Sequence, residues 1–505
     1  MSLYLLDIIV SAVVTSWMIC SYTSRQHETQ RKGEFQLPPG PKRLPLVGNI
    51  FQMPRSREWL KAAEWRSEYG DMVYLENLGR PLIFINSYEI AVDLFEKRSA
   101  NYSSRPSFPM VNDLQKWDWL IALMPYGDAW RKHRSFLHNF LEPPGVLGYK
   151  DIQYKTSLKL LKRLLHEPLQ FERHIRTSIG AMIMMIAYGH EVEQAVSLFS
   201  ISAAPGSFLV NVVPFLKYIP EWFPGAAFQK LAKRGRTFSQ AMLNNPHDVT
   251  KSEVLKGIAR PSMTSELIGD NIGEKGEILD EDVISRVTGA VYAGGADTSV
   301  STLLTFLIAM MLNPDAQNRG QEELDRVIGS ERMPTFDDQE NLPFVNAICL
   351  EAMRWAPVAP MGGPHASTSD DIYNGYFIPE GTTLIANQWL MLHDPSVYTD
   401  PEAFKPERHL GAQPERDPVK IVFGFGRRFC PGRHLAQQSI FMTVANILHV
   451  FNVTKARDED GGVIEPRVEY KPGLIRHPHP FKCAISPRSD AKAALLLQVV
   501  DSLDD

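Results

Sequence analysis

The stretch FGFGRRFCPGRHLA, residues 423–436, decides the fold of this chain. It places Cys430 where a glycine-rich loop passes into a helix that we expect to begin around Gly432 or Arg433. Backbone N–H groups and the helix dipole favour a negatively charged sulfur at such a position, and Pro431 is tolerated in the first helical turn. Cys430 is therefore predicted to act as a thiolate.

The residues around Cys430 indicate what such a thiolate would bind. Gly424, Gly426 and Gly432 allow the backbone to approach a flat, bulky group. Arg428 would neutralise an acidic substituent on that group. A single thiolate without a metal-binding pattern beside it suits an iron whose other ligands come from a macrocycle, namely haem. The alternative is a buried structural cysteine in a glycine loop.

Composition and charge exclude several other classes of protein. The 505 residues are 44% hydrophobic and 22% charged, which is ordinary globular composition. A net charge of −5 argues against a broadly basic nucleic-acid binder. The four cysteines, Cys20, Cys349, Cys430 and Cys483, match neither a zinc pattern nor a disulfide framework. The globular part is therefore expected in a reducing compartment.

The N-terminus differs from the rest of the chain. Residues 3–20 are apolar apart from Asp7 and a few hydroxyl groups, and basic residues follow them. About 20 apolar residues span a bilayer, and the positive-inside bias then places the downstream chain in the cytosol. We therefore predict a membrane anchor over residues 1–22. A cleaved signal peptide is the alternative, although the uncharged start argues against it.

A basic and proline-rich linker is predicted over residues 23–49. Its segment LPPGPKRLPLVGN (37–49) carries three prolines in the first five residues, and these stiffen the chain and end any helix. Further on, residues 74–86 predict a β-hairpin, the middle and the region 281–355 are mostly helical, and Asn374-Gly375 predicts a turn. The polar run 245–280 is expected to be a flexible surface connection.

The pattern Phe423-x-x-Gly426-x-Arg428-x-Cys430-x-Gly432 resembles the haem-binding signature of the cytochrome P450 family. The resemblance covers the chain from the anchor to Cys483. It implies a mainly α fold with small β-sheets, in which residues 50–505 form a single haem-thiolate catalytic domain. The cofactor would be heme b, iron protoporphyrin IX, with Cys430 as the axial ligand of the iron, and Phe423 and Gly432 would border it.

Two further segments match this family in the expected order. Glu351 and Arg354, in EAMR, lie three residues apart and share a helix face, which by itself is usually a surface pair. The segment FKPERH supplies Arg408. The resemblance implies that these three residues form a buried trio near the haem loop. His409 stands where the family commonly has Phe.

The segment AGGADTS, residues 293–299, lies in a long helical pattern over residues 282–312. Two glycines inside a helix cost about 1 kcal/mol each, so they indicate a close approach or a local distortion. The alternative is a packing helix weakened by glycine. The resemblance implies an oxygen-binding groove above the haem that includes Gly294. Thr298 would hold the oxygen and Asp297 would help to deliver protons.

The segment WRKHR, residues 130–134, carries Trp130 and Arg134 on one helical face. The resemblance implies that both contact a haem propionate, together with His365 and Arg428. Lys132 fits a solvated helix surface better.

The function implied by the resemblance is monooxygenation, RH + O2 + 2 e⁻ + 2 H⁺ → ROH + H2O. The layout and the C-terminal stretch GLIRHPHPFKCAISPR are most similar to fungal members that tailor secondary metabolites. The chain has no dinucleotide fingerprint, so we expect electrons from a separate NADPH-dependent reductase on the same endoplasmic reticulum membrane. Two alternatives are a haem-thiolate isomerase or dehydratase that needs no external electrons, and a non-catalytic haem-binding sensor.

The sequence also suggests surfaces for the partners. Four basic residues are candidates for docking the acidic reductase: Arg427, Arg433, His434 and Lys132. Apolar residues at family pocket positions predict a bulky hydrophobic substrate, a terpenoid or aromatic scaffold, and they are Phe108, Met110, Trp117, Trp119, the run 207–215, Val358 and Met361. About half of these are expected to be plain core.

Overall fold

The computed structural model describes residues 32–54, 56–190 and 208–503. The predicted anchor, the linker up to residue 31 and residue 207 lie outside the described residues. The α-helices are α1 (Glu58–Tyr69), α2 (Tyr88–Val92), α3 (Ser99–Tyr102), α4 (Asp128–Leu141), α5 (Pro143–Leu147), α6 (Lys150–His166), α7 (Phe171–Tyr188), α8 (Leu209–Val212), α9 (Ala227–Leu255), α10 (Met263–Asp270), α11 (Glu281–Leu312), α12 (Pro314–Val327), α13 (Pro343–Trp355), α14 (Gln388–Leu392), α15 (Val419–Val422), α16 (Arg433–Val450) and α17 (Asp490–Asp501).

The strands are short and form small sheets. They are β1 (Met72–Asn77), β2 (Arg80–Ile85), β3 (His365–Ala366), β4 (Asp371–Tyr373), β5 (Tyr376–Ile378), β6 (Thr383–Ala386), β7 (Phe451–Lys455) and β8 (Cys483–Pro487). One sheet has the order β1-β2-β6-β3, and the pairs β4-β5 and β7-β8 form two further sheets. The prediction of a mainly helical fold with small β-sheets is therefore confirmed.

Turn chemistry sets the hairpins that the sequence predicts. In the first hairpin, Asn77 pairs with Arg80, and Leu78 and Gly79 between them both have positive φ angles. Asn374 and Gly375 also have positive φ angles, of 49° and 79°, in the turn between β4 and β5. Positive φ at both central residues matches the right-handed twist of paired strands, so both hairpins close in two residues.

Helix α11 is the centre of the helical part. It packs against α7, α4, α13 and α16, and almost all of its residues from Val287 to Met311 are buried. It is the one helix in the described chain that is long and apolar enough to cross a membrane, but 78% of its apolar window is buried inside the protein. Its hydrophobicity therefore reflects a core position.

The interpretation of residues 245–280 as a flexible connection is wrong for much of its length. α9 continues to Leu255, and α10 occupies Met263–Asp270. Both carry buried residues such as His247 and Ile268 on one face. The polar composition misled the prediction, because a helix with one buried face keeps many polar residues on the other.

Candidate active site

The loop before α16 holds Cys430 by its backbone. The Cys430 N–H donates to the Phe423 carbonyl at 2.8 Å, and α16 then begins at Arg433 with Gly432 as its N-cap residue. Gly426 has a φ of +54°, and a Cβ there would lie 2.1 Å from the Phe95 carbonyl oxygen. Only glycine fits this contact, so the loop is fixed against the helical segment that contains Phe95.

The protonation of Cys430 is set by opposing influences. Burial raises the pKa of the thiol, whereas the Gly432 backbone N–H and the positive charges of Arg134 and Arg433 act to lower it. These donors and charges favour a thiolate once a metal cation takes the place of the proton. The position therefore suits a metal ligand better than a free nucleophile.

Arg428 lies buried beside this loop. Its guanidinium donates to the carbonyls of Ser103 at 2.6 Å and Met124 at 2.7 Å, and it lies 4.6 Å from the ring centroid of Trp130. Burial and then the nearby Arg105 lower the pKa of Arg428 to about 9. Such a lowered pKa marks a cation that the protein itself does not neutralise.

Arg105 is a second cation at this position, and the sequence reasoning missed it. It donates to the carbonyls of Ala122, Gly363 and Pro364. Desolvation lowers the pKa of Arg105 to about 10. Arg105 belongs to no motif in a loop of irregular structure, so no spacing in the sequence could have indicated it.

His365, in strand β3, lies close to Arg105 and Arg428. Its Nδ1 donates to the Tyr102 carbonyl at 2.7 Å, and its ring stacks on Phe95 at 4.1 Å between centroids. Burial, and then the charges of Arg105 and Arg428, hold the pKa of His365 well below its usual range. The imidazole is therefore neutral in the protein alone, with Nε2 free of a proton.

These residues fit haem. No carboxylate of the described residues lies within salt-bridge distance of Arg105 or Arg428. Arg428 is buried and Arg105 is half-buried, and desolvated cations that have only neutral carbonyls as partners are costly unless a ligand brings the opposite charge. The two propionates of heme b would supply it. Trp130 packs on Arg428, which places the start of α4 beside these cations.

Helix α11 has one opening along its buried length. Gly294 is exposed and Thr298 is half-buried, whereas the helix is otherwise buried from Val287 to Met311 except at Gly295 and Ala296. A Cβ on Gly294 would meet nothing within 4 Å, but one on Gly295 would lie 2.9 Å from Ile183 of α7. The two glycines thus serve different purposes: one leaves space and the other allows close packing.

Thr298 and Asp297 point to different neighbours. The Thr298 hydroxyl donates to the Gly294 carbonyl at 2.9 Å. The Asp297 carboxylate accepts from Arg176 of α7 at 3.0 Å and from Nε2 of His477 at 2.8 Å. Neither partner of Asp297 was identified from the sequence, because Arg176 and His477 are distant in the chain and belong to no motif.

Glu351, Arg354 and Arg408 meet in the core. Arg354 donates to both oxygens of Glu351, at 2.8 and 2.9 Å, and Arg408 donates to one of them at 3.1 Å. His409 adds a contact from Nε2 at 2.9 Å. Burial would raise the pKa of Glu351, but hydrogen bonds from His409 and Arg354 lower it to about 2. His409 thus joins the cluster by hydrogen bonding.

Three of the four candidate docking residues are already neutralised. Arg433 and His434 both face Glu142, and Lys132 pairs with Asp280. Arg427 is exposed and donates to the Tyr126 hydroxyl at 2.7 Å. Within the described chain, Arg427 therefore carries the most available positive charge of the four.

The residues predicted to border the substrate fall into two groups. Met110 packs in a small separate core with Leu114, Val210 and Ala232, and Phe215 is 49% exposed. Trp119 instead lies against α11, where its ring would be 3.1 Å from a Cβ on Gly289. Trp117, Phe108, Val358 and Met361 are buried or half-buried.

Cys430 lies just before a helix, cations without an opposite charge lie nearby, and a core helix is opened at Gly294. Together these features indicate a haem-thiolate protein. Comparison with known proteins agrees with this class. The chain belongs to the cytochrome P450 family, whose sequence model, described as Cytochrome P450, matches residues 38–485. The resemblance stated from the sequence is therefore confirmed, and so is the haem-thiolate cofactor.

Relatives of similar length support the activity. The chain is 39% identical to a cytochrome P450 monooxygenase of Armillaria gallica over 97% of this chain and 99% of the relative. It is 37% identical to one of Ampulloclitocybe clavipes over 97% and 92%, and 40% identical to one of Postia placenta over 91% and 92%. The protein is a cytochrome P450 monooxygenase, which uses O2, a small-molecule substrate and a redox partner.

Proposed function

We propose that this monooxygenase oxidises a bulky hydrophobic small molecule, a terpenoid or an aromatic secondary metabolite. The observation that carries the proposal is the opening of α11 at Gly294. Ala290, Gly294 and Thr298 are spaced by four residues and so share one face of the helix. Their small side chains leave room for a large apolar molecule, and Thr298 is the polar residue among the three.

Residues from several elements would hold the cofactor. When bound, heme b supplies the oxidising chemistry. Cys430 would ligate the iron, and Phe423 and Gly432 of the same loop would border the cofactor. The propionates would be bound by Arg428, Trp130, Arg134 and His365, and by Arg105 as an additional donor. Glu351, Arg354 and Arg408 would hold the core segment behind the Cys430 loop.

Proton delivery would fall to Thr298 and Asp297. The Thr298 hydroxyl has one donor and two acceptor positions, so a small rotation would exchange the Gly294 carbonyl for a molecule at the opening. Asp297 would bring protons from the solvent side, because its partner Arg176 is 32% exposed at its side chain. The chain itself would therefore control water and protons at the site.

His365 would have to gain a proton when the cofactor binds. Its Nδ1 already donates to Tyr102, so a neutral imidazole has no second hydrogen for a propionate. A propionate beside it would favour the charged form. Cofactor binding is therefore expected to take up a proton at this residue.

The electron donor would be an NADPH-dependent reductase on the endoplasmic reticulum membrane. Residues 1–22 would span that membrane once and leave residues 50–505, as a single catalytic domain, in the cytosol. Residues 23–49 would separate the two. Exposed Arg427, near the Cys430 loop, would contact the acidic partner. The family is often membrane-associated, which agrees with this arrangement.

The test combines a spectrum with turnover. The reduced protein under carbon monoxide is expected to show a strongly red-shifted Soret band that Cys430→Ser abolishes, because thiolate ligation causes the shift. The holoenzyme is then incubated with reductase, NADPH and a panel of terpenoids and aromatic compounds. Product formation that requires the reductase supports the proposal. Turnover of hydrophilic compounds alone, or without reductase, would overturn it.

A further inference from the structure

We propose that His477 is a positioning residue that holds Asp297 for proton delivery. The proposal rests on the role proposed above for Asp297. Both oxygens of this carboxylate are occupied, Oδ1 by Arg176 at 3.0 Å and Oδ2 by Nε2 of His477 at 2.8 Å. The two partners approach from different elements, α7 and the segment before β8, and together they fix the orientation of the acid.

The contact with Asp297 accounts for the polar chemistry of His477. A carboxylate only accepts, so Nε2 of His477 must carry the hydrogen. Its Nδ1 is buried and has no hydrogen-bond partner within the described chain. The side chain is only 12% exposed. An apolar side chain would fill the same space without burying an unpaired ring nitrogen, which is unfavourable. The hydrogen bond to Asp297 is therefore what favours a histidine at this position.

Residues 470–477, which we call the strap, make three hydrogen bonds with one face of α11. The contact between His477 and Asp297 is one of the three. The Ser301 hydroxyl donates to the Arg476 carbonyl at 2.6 Å, and Thr305 shares a hydrogen bond of 3.1 Å with the Tyr470 hydroxyl. Asp297, Ser301 and Thr305 are spaced by four residues, so they lie in a row on the helix. The strap is thereby tied to the helix at the turn that carries the acid.

The solvent side of Asp297 is held separately. Arg176 also donates to the Glu172 carboxylate at 3.3 Å. The side chains of Arg176 and Glu172 are 32% and 38% exposed. An exposed ion pair exchanges partners easily, because its net stabilisation is small. His477, on the buried side, is the more permanent partner. Loss of His477 should therefore let Asp297 turn toward Arg176 and the solvent.

The test needs no organic substrate. The full-length holoenzyme, its reductase, NADPH and O2 are combined, and the consumption of O2 is compared with that of NADPH. Peroxide formation, NADPH + H⁺ + O2 → NADP⁺ + H2O2, consumes one O2 per NADPH. Water formation, 2 NADPH + 2 H⁺ + O2 → 2 NADP⁺ + 2 H2O, consumes half as much. Poor proton delivery is expected to favour peroxide.

His477→Leu should raise the ratio of peroxide to water about fivefold, a change equivalent to about 1 kcal/mol, which lies within the range of coupling energies between residues in contact. His477→Gln should restore it, because the Gln Nε2 can donate to Asp297 from a similar reach. The matched control is Tyr470→Phe, which removes a strap contact two turns away and leaves both partners of Asp297 in place. It should leave the ratio unchanged.

A readout without turnover comes from thermal unfolding of the same variants. In a double-mutant cycle of His477→Leu and Asp297→Ala, the shifts in Tm should be less than additive, because each change removes the same contact. The cycle of His477→Leu and Tyr470→Phe should be additive. Additive shifts in the first cycle would overturn the contact itself.

The outcomes separate this proposal from the one on which it rests. If Asp297→Asn leaves the peroxide ratio unchanged, the proposed proton role of Asp297 fails, and the positioning role of His477 fails with it. If Asp297→Asn raises the ratio but His477→Leu does not, only the role of His477 fails. If Tyr470→Phe raises it as much as His477→Leu, the effect is a general loosening of the strap, which also overturns the proposal.

Discussion

The α-carbon of Gly426 lies so close to the backbone of Phe95 that a Cβ would be 2.1 Å from the Phe95 carbonyl oxygen. This contact joins the loop before Cys430 to the helical segment Asp93–Lys97, and Phe95 in turn stacks on His365. Cys430, the proposed axial ligand, and His365, a residue proposed to bind a propionate, are therefore both held against Phe95. The Gly426 contact is backbone against backbone, which cannot give way as a side chain can, whereas the His365 contact is a stack of two rings.

Gly426→Ala should prevent stable haem binding. The added Cβ meets backbone at 2.1 Å, and a φ of +54° is also strained for alanine, so the loop must move. We expect the haem content after purification to fall about tenfold or more, a loss of over 1.4 kcal/mol in binding free energy. Haem content and the carbon monoxide spectrum measure this.

Gly432→Ala is the matched control for this loop. Its φ is −83°, and a Cβ there would meet no protein atom within 4 Å. The free energy of unfolding of the haem-free protein should stay unchanged. A loss of haem without a loss of stability would then be direct evidence that Gly432 borders the cofactor. A haem content of Gly426→Ala equal to that of the wild type would contradict the role assigned to the Gly426 contact.

Glu351→Gln should destabilise the protein strongly. Arg354 is fully buried, and without the carboxylate its charge would be left with backbone carbonyls as partners. Breaking a buried ion pair in this way costs about 3–5 kcal/mol. His409→Phe removes one of several hydrogen bonds to the same carboxylate, so about 1 kcal/mol is expected. Urea unfolding measures both, and equal effects would contradict the assignment.

Buried histidines should make the fold sensitive to mild acid. Burial, followed by nearby positive charges, lowers the pKa of His393 and of His449 to about 3. The unfolded chain binds protons at these residues below pH about 6.5, whereas the folded protein does not, so stability falls as the pH drops below that value. Between pH 7.0 and 5.5 each residue should contribute a loss of about 1.2 kcal/mol.

His449→Gln tests this origin of the pH dependence. The variant should lose about 1.2 kcal/mol less than the wild type between pH 7.0 and 5.5, as measured by urea unfolding at both values. His166→Gln, a change at an exposed residue of α6, is the control and should behave like the wild type. Equal pH dependence in all three proteins would show that His449 ionises alike in the folded and unfolded states.

Arg427→Glu should weaken the reaction with the reductase. Of the four predicted docking residues, Arg427 alone has no carboxylate partner in the described chain. Reversal of an available charge slows a steered association, and about a tenfold loss at low ionic strength is expected, with a smaller loss at high salt. Lys230→Glu, at an exposed position of α9, makes the same charge change as a control. A loss that does not depend on salt would contradict docking.

Much of the framework could be predicted because it depends on local chemistry. Asn374-Gly375 forms its turn without distant partners. The apolar pattern over residues 282–312 predicted the start of α11 to within one residue. The start of α16 next to Cys430 follows from the same kind of signal. These features need only propensity, turn geometry and hydrophobic period.

The partners of individual polar groups could not be predicted. Arg105 donates to three carbonyls from two separate loops, and His477 contacts Asp297 from a distant segment of the chain. Such contacts depend on packing between segments that are far apart in the chain, and no periodic pattern in the sequence indicates them. The polar face of α9 misled the prediction for the same reason, because its buried side has no local signature.

The apolar length of α11 has a consequence for biosynthesis. An 18-residue window of this helix reaches a mean hydropathy of 1.5, as a membrane span does, yet two of its partners, α13 and α16, follow it in the chain. Translation from Leu312 to Val450, about 140 residues, takes roughly 7–28 s at ribosomal rates. During that interval the nascent helix is only partly covered, so slow elongation or scarce chaperone would expose it to aggregation or to the insertion machinery of the translocon.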